Sequence, residues 1–259
     1  MKIPLKTERE VEIMTLGGEK LGRILGQVLA EIKPGVKLSD LDRLAEKLIK
    51  KENGKPSFKM VPNYFWTTCI NINEGVVHGV PGPYQIKDGD VVSVDVGMFY
   101  DGFHTDMART MIVKSEKPKG VKNDQKEKFL KAGQESLKEA IFAARSGNRV
   151  GHISQAIEGG IKKKGFFPVK NLTGHGVGCK LHEPPSIHCF LNTEIEATPI
   201  LKTGMVLAIE VIYTQRETGL LVQDDGWTVK TRVGDLGGVF ENTVLVAPEG
   251  AKVLTILPN

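Results

Sequence analysis

Apolar residues recur at helical spacing from about residue 7 to 31 (Val11, Met14, Leu21, Ile24, Leu25, Val28, Leu29), and Pro34 and Gly35 end the run. That pattern predicts a first helix. Ser39 is placed to cap a second helix running through "DLDRLAEKLIKKENG". Strand-like runs follow at about 67–73, 90–98 and 105–113, with the "DG" at 101–102 as a hairpin signal. A further helix is expected near 125–144.

The same order then recurs. "KPGVKLSDLDRLAEKLIKKENG" aligns with "ARSGNRVGHISQAIEGGIKKKG" at a constant offset of 112, pairing Gly35 with Gly147, Leu41 with Ile153 and Ile49 with Ile161. "KDGDVVSVDV" (87–96) aligns with "KTGMVLAIEV" (202–211) at an offset of 115. Each match alone is weak, but two in one order at nearly one offset predict an internal duplication of an ααβββ-type half. The halves span about 7–115 and 125–250 of a single domain covering 1–259, with a central site between them.

Composition narrows the class without naming a function. The 259 residues are 40% apolar and 25% charged, as in an ordinary globular chain able to bury a core. The net charge of +4 is modest, and the lysine clusters at Lys50/Lys51, Lys114 to Lys122 and Lys162 to Lys164 read as solvated faces. No DNA- or RNA-reading motif accompanies them. The opening "MKIPLKTEREVEIM" lacks the apolar core of a signal peptide, and no stretch approaches the ~18 apolar residues of a membrane span. No membrane partner and a cytoplasmic location are therefore expected. Cys69, Cys179 and Cys189 form no CxxC, which suits a reducing compartment and argues against a zinc–thiolate site.

The hairpin "VDVGMFYDGFHTDMART" (94–110) carries Asp95 between Val94 and Val96, and Asp106 on the returning strand. Aspartate is depleted in strands, and a charge near a core is costly unless paired or metal-bound. With Tyr100 and Asp101 at the turn centre the two aspartates are cross-strand partners; with Asp101 and Gly102 there, they are diagonal neighbours. Both registers bring them together on one face. The duplication sets Glu210 at the position of Asp95, and Glu241 in "GVFENTVLV" lies as Asp106 does in "TDMARTMIV". Four converging negative charges are poorly relieved by protonation alone, so divalent metal is the economical solution.

Histidine supplies the nitrogen. "TGHGVGCKLHEPP" holds His175 between glycines and His182 seven residues on. Four carboxylates and one imidazole suit two Mn²⁺, Fe²⁺ or Co²⁺ ions, and zinc is compatible too. Taken singly, Asp106 reads equally as a turn or cap residue and Glu210 as the partner of an arginine. His104, His152 and His188 read as structural or exposed. His78, in "HGVP", reads as a loop histidine that echoes His182 in "HEPP".

These residues resemble a known family. "NINEGVVHGVP", "KDGDVVSVDVGMFYDGFHTD", "GHGVGCKLHEPP", "KTGMVLAIE", "DGWTVKT" and "FENTVLV" together resemble the type I methionine aminopeptidases nearly end to end. The resemblance implies an α+β fold, the duplicated pita-bread (creatinase/aminopeptidase) fold, with pseudo-two-fold halves around a central antiparallel sheet in one catalytic domain. It implies that Asp95, Asp106, His175, Glu210 and Glu241 hold two divalent ions (cobalt, manganese or iron(II), with zinc compatible), Asp106 and Glu241 bridging. It makes His78 and His182 the active-site histidines that contact the scissile peptide, and Tyr64, Cys69 and Trp227 the lining of a methionine pocket, with Phe58 a further candidate. Glu210 is then the general base toward a metal-activated water. Leu181 stands where an aromatic is frequent, and Val61 in a stretch often richer in aromatics; both bear on pocket shape.

The implied activity is metal-dependent removal of the N-terminal methionine from nascent proteins and peptides with a small second residue. The competing readings are a proline-specific aminopeptidase or prolidase of the same fold, and a non-catalytic ribosome-associated binding protein. The proline-specific relatives usually carry an extra N-terminal domain, and non-catalytic relatives typically lose ligands that are all present here. Expected partners are N-terminal Met peptides, more weakly a ribosome surface, and no DNA; the chain is expected to act as a monomer.

Overall fold

A computed structural model describes residues 2–114 and 124–258. In chain order the elements are α1 (Glu8–Ala30), α2 (Leu38–Lys51), β1 (Lys55–Pro56), β2 (Thr68–Ile72), β3 (Gly75–Val77), β4 (Val91–Tyr100) and β5 (Phe103–Ile112). They continue with α3 (Asp124–Ala143), α4 (Val150–Lys163), β6 (Phe167–Pro168), β7 (Thr173–Gly176), β8 (Glu183–His188), β9 (Val206–Thr214), β10 (Leu220–Val222), β11 (Val229–Thr231), β12 (Gly237–Ala247) and β13 (Gly250–Val253).

Thr7 and Glu10 close a capping box at the start of α1: the Glu10 N–H donates to Thr7 Oγ1 at 3.4 Å and the Thr7 N–H to Glu10 Oε2 at 2.7 Å. The stripe Met14, Leu21, Ile24, Leu25 and Val28 is buried. On the same helix a Cβ at Gly18 or Gly22 would overlap the backbone of Leu254 or Ile256, so these two glycines let the C-terminal strand and tail lie against the helix.

The start of α2 corrects the sequence expectation. Ser39 lies inside the helix, and Lys37 is the N-cap, with no side-chain cap bond. The cause is tertiary: the Leu38 N–H donates to Tyr84 O and the Ser39 N–H to Gly82 O, so a neighbouring loop satisfies the donors a capping side chain would serve. The predicted lysine cluster at Lys114 to Lys122 lies outside the described residues except for Lys114 itself. Lys50, Lys51 and Lys162 to Lys164 are exposed at the ends of α2 and α4.

The duplication is visible in register. β1 pairs with β4 through Lys55↔Phe99 and Pro56↔Met98, and β6 pairs with β9 through Phe167↔Thr214 and Pro168↔Tyr213. Left-handed backbone recurs at Gly35 and Gly147, at Asn53 and Gly165, and at Gly89 and Gly204. Isolated bridges Lys37↔Gln85 and Arg149↔Ile200 repeat the same relation.

Every ladder among the described residues is antiparallel. α1 and α2 cover one face of the β1–β4–β2 sheet, which also carries β5; α3 and α4 cover the β13–β12–β9–β7–β8 sheet. β5 and β12 meet at a seam built from side chains. Thr243 Oγ1 accepts from the Asp106 N–H and donates to Asp106 O, both at 2.8 Å. Reciprocally, Thr110 Oγ1 donates to Val239 O at 2.7 Å and accepts from the Val239 N–H at 3.1 Å. Arg109 adds Nη1 to Glu241 O at 2.6 Å and Nη2 to Asn242 Oδ1 at 3.0 Å. No helix among the described residues is long and apolar enough to cross a membrane.

Candidate metal centre

Four carboxylates and one imidazole converge at this seam. In the β9–β12 ladder Glu210 stands opposite Glu241. In the β4–β5 hairpin Tyr100 pairs with Phe103, so Asp101 and Gly102 form the turn, both with positive φ. Gly97 therefore faces Asp106, and Asp95 faces Ala108. The aspartates are diagonal neighbours on one face, the second of the two registers the sequence allowed. His175 pairs with Ala208, two residues from Glu210 on β9, and its Nε2 lies 3.6 Å from Glu210 Oε1. One ligand-capable atom from each of Asp106, His175 and Glu241 lies within 4.8 Å of the others.

Solvent reaches little of this charge. Asp106 and Glu241 are 4% and 2% exposed, and Asp95 Oδ1, Asp106 Oδ1 and Glu241 Oε1 are buried with no hydrogen-bond partner. Burial, then the charges of Asp106 and Glu210, push the Asp95 carboxyl well above the usual carboxylate range. Burial and the neighbouring carboxylates do the same to Glu241, with Arg109 opposing, and burial and Asp106 do so to Glu210. Burial also raises Asp106, to about 7. His175 is held down to about 4, first by burial and then by His182, so it is a neutral imidazole near pH 7. Its Nδ1 lies 2.9 Å from Gly176 O. A carbonyl only accepts, so Nδ1 carries the proton and Nε2 turns its lone pair toward the cage. The donor set, oxygen-rich with one nitrogen and three orphaned oxygens, fits divalent cations, and four carboxylates match the charge of two of them.

Over the cage lies a cavity of about 140 Å³ whose lining includes Asp95, Asp106, His175, Glu210 and Glu241. Its other wall is apolar: Phe58, Tyr64, Cys69 and Leu181 form a small buried cluster with Val61 and Trp227 against it. The Tyr64 hydroxyl lies 2.8 Å from Thr68 O, to which it donates, and 3.2 Å from Cys69 Sγ, which leaves the ring as wall. Trp227 packs edge-on to Tyr64 at 5.1 Å and donates from Nε1 to Asn63 O at 3.1 Å. His78 and His182 stand at the mouth, His182 with its ring 4.5 Å from that of His175. His78 has φ 57, left-handed backbone that a non-glycine residue keeps only when its surroundings hold it.

All ten residues singled out from the sequence line this one cavity, as do Phe58, Val61 and Leu181. His152 is half-buried and accepts from the Arg149 N–H at the start of α4, while the partly exposed His188 has an Nδ1 without a partner. Two supporting residues, Asp42 and Glu183, were overlooked, while His104 is structural, one of the two readings the sequence offered. Asp42 Oδ1 accepts from the Thr67 N–H, the Thr68 N–H and Thr68 Oγ1, tying α2 to the strand behind Tyr64. Its signal was visible: a charge at a stripe position among Leu38, Leu41, Ala45 and Ile49. His104 is buried, 2.9 Å through Nδ1 from Ser57 Oγ, and its N–H donates to Gly178 O. Glu183 pairs with Lys6, far away in sequence, and nothing local announced it.

Comparison with known proteins agrees with this geometry. The profile of metallopeptidase family M24 matches residues 12–248. A methionine aminopeptidase of Clostridium perfringens is 38% identical over 255 residues, covering 98% of this chain and 99% of that protein. The crystal structure of a methionine aminopeptidase from Thermotoga maritima superposes with a TM-score of 0.92 at 35% identity, covering 98% of this chain and all of that one. A prolidase from Pyrococcus furiosus superposes with a TM-score of 0.75 at 27% identity, with 98% of this chain matching 66% of that one.

Proposed function

The chain belongs to metallopeptidase family M24, and from that premise we propose that it removes the N-terminal methionine from nascent proteins and peptides, favouring a small second residue. One observation carries the reading: a single cavity has a carboxylate cage at one end and an apolar wall at the other. A free α-ammonium group suits the first and a methionine side chain the second.

Asp95, Asp106, His175, Glu210 and Glu241 would hold divalent cations, which when bound would supply the Lewis acidity that acidifies water and polarises a carbonyl; cobalt, manganese, iron(II) and zinc all suit the donors. Tyr64, Cys69 and Trp227, with Phe58 and Leu181, hold the methionine side chain and fix the first peptide bond over the cage. Glu210 takes the proton of the attacking water and returns it to the leaving amine. His182, whose pKa is lowered by burial, stays neutral near pH 7 and donates an N–H to the carbonyl oxygen as negative charge develops there. His78, across the mouth, orients the same peptide group. The setting this implies is the cytoplasm, with the chain acting as a monomer on peptides leaving the ribosome.

The test is a Met-Ala-Ser peptide assayed beside an X-Pro dipeptide, with and without Mn²⁺ or Co²⁺. Metal-dependent cleavage of the tripeptide alone is expected. Cleavage of the dipeptide alone makes the chain a proline-specific enzyme, and cleavage of neither makes it a binding protein.

A further inference from the structure

The segment ahead of α1 reaches the active-site mouth through one buried ion pair. Lys6 Nζ lies 2.6 Å from Glu183 Oε2, and the two side chains are only 4% and 6% exposed. Glu183 is the residue after His182, and its other oxygen, Oε1, accepts from the Lys180 N–H at 3.1 Å. One carboxylate thus spans the turn that presents His182 and ties it to the N-terminal segment. That segment is itself anchored, with the Lys6 N–H donating to Gly204 O at 2.7 Å. The upstream end of the turn is held as well: Gly178 O accepts from the His104 N–H at 2.8 Å, and the Gly178 N–H donates to Lys180 O at 3.1 Å. Gly178 also lets the lysine through, since a Cβ there would lie 2.7 Å from both Lys6 Nζ and Glu183 Oε1.

A buried ion pair is weak evidence for stability, because desolvating two charges offsets most of their attraction. What it does supply is direction: one short bond between two groups that have no other place to go. We propose that Lys6 and Glu183 are positioning residues for His182, holding its ring at the height where it meets the scissile carbonyl. Neither touches substrate. The inference rests on reading His182 as a group that contacts the peptide.

The experiment compares wild type with Lys6→Met, Glu183→Gln and the double variant Lys6→Met/Glu183→Leu, all metal-loaded, for melting temperature, metal content, kcat and KM on Met-Ala-Ser. The single variants each strand one charge and are expected to melt lower; the double variant replaces the pair with apolar side chains and is expected to melt near wild type. In all three, kcat falls by roughly 10- to 100-fold, the scale of a misplaced catalytic group, while KM and metal content hold. A double variant that regains both melting temperature and kcat overturns the proposal. Should it not fold, either single variant that is folded at the assay temperature with native kcat does the same. Wild-type turnover decides the functional reading separately. If that is absent, the His182 ring resonances followed by NMR in the same variants still decide positioning: displaced resonances support it, and unchanged ones overturn it.

Discussion

Glu210 and Glu241 stand directly opposite one another across the β9–β12 ladder, while Asp95 and Asp106 on the other hairpin are offset by two residues. Like charges facing each other across a ladder are destabilising unless something intervenes. Asp106 is nonetheless the leading charge acting on both Glu210 and Glu241, so the repulsion crosses the seam between β5 and the β9–β12 ladder, and metal removal should act there first.

Chelation is expected to lower the melting temperature, and added Mn²⁺ or Co²⁺ to restore it. Ligand at about 100 times its dissociation constant stabilises by about 2.7 kcal/mol. In the metal-free protein Glu241→Gln should melt higher than wild type, because one repelling charge is gone, and with saturating metal it should melt lower. Differential scanning fluorimetry with and without chelator checks both signs; a variant that melts lower in both states contradicts the cage.

The pH dependence of the metal-free protein follows from the raised carboxyls. A carboxyl whose folded pKa lies above its unfolded value near ~4 is penalised as it ionises. Stability is therefore lost as pH rises through the window that ends, for Asp106, at about 7. His175 and His104, both lowered to about 4, act oppositely, costing stability as pH falls below ~6.5. Asp95→Asn isolates the first effect: its gain in melting temperature over wild type should grow from pH 5 to pH 8, measured in chelator.

Trp227→Ala is expected to raise KM for Met-Ala-Ser about 10-fold with kcat nearly unchanged, since it removes one wall of the side-chain pocket and wall contacts bind ground state and transition state alike. Steady-state kinetics check this, and a fall confined to kcat would remove Trp227 from the pocket.

Asp42→Ala leaves the Thr67 and Thr68 N–H groups without their shared acceptor. A loss of about 2–4 kcal/mol is expected from stranding two buried donors. Asp42→Asn should recover part of it, because an amide oxygen still accepts. Urea denaturation with an unchanged m-value is the measurement.

The sequence announced the cage because its signal is a contradiction: carboxylates at strand positions where neighbours are apolar, repeated at one offset. Helix spans were equally legible from periodicity; α1 and α3 fall within a residue of expectation at each end. Three kinds of information were hidden. The hairpin register depended on whether Tyr100 joined the ladder or the turn, a choice the turn's backbone makes. The cap of α2 came from Gly82 and Tyr84, a long-range contact with no local mark. Lys6 and Glu183, 177 residues apart, could be joined only by the fold.

The threonine seam acts as a ruler. Strands in a continuous ladder sit ~4.8 Å apart, a spacing that would press the two carboxylate pairs together. Here the backbone of Asp106 instead meets a hydroxyl from Thr243, and that of Val239 a hydroxyl from Thr110. The gap between hairpins is thereby set by the length of a side chain. Two threonines that touch neither substrate nor metal thus gauge the width of the slot between the hairpins, and a valine of the same outline at either position would keep the packing and lose the gauge.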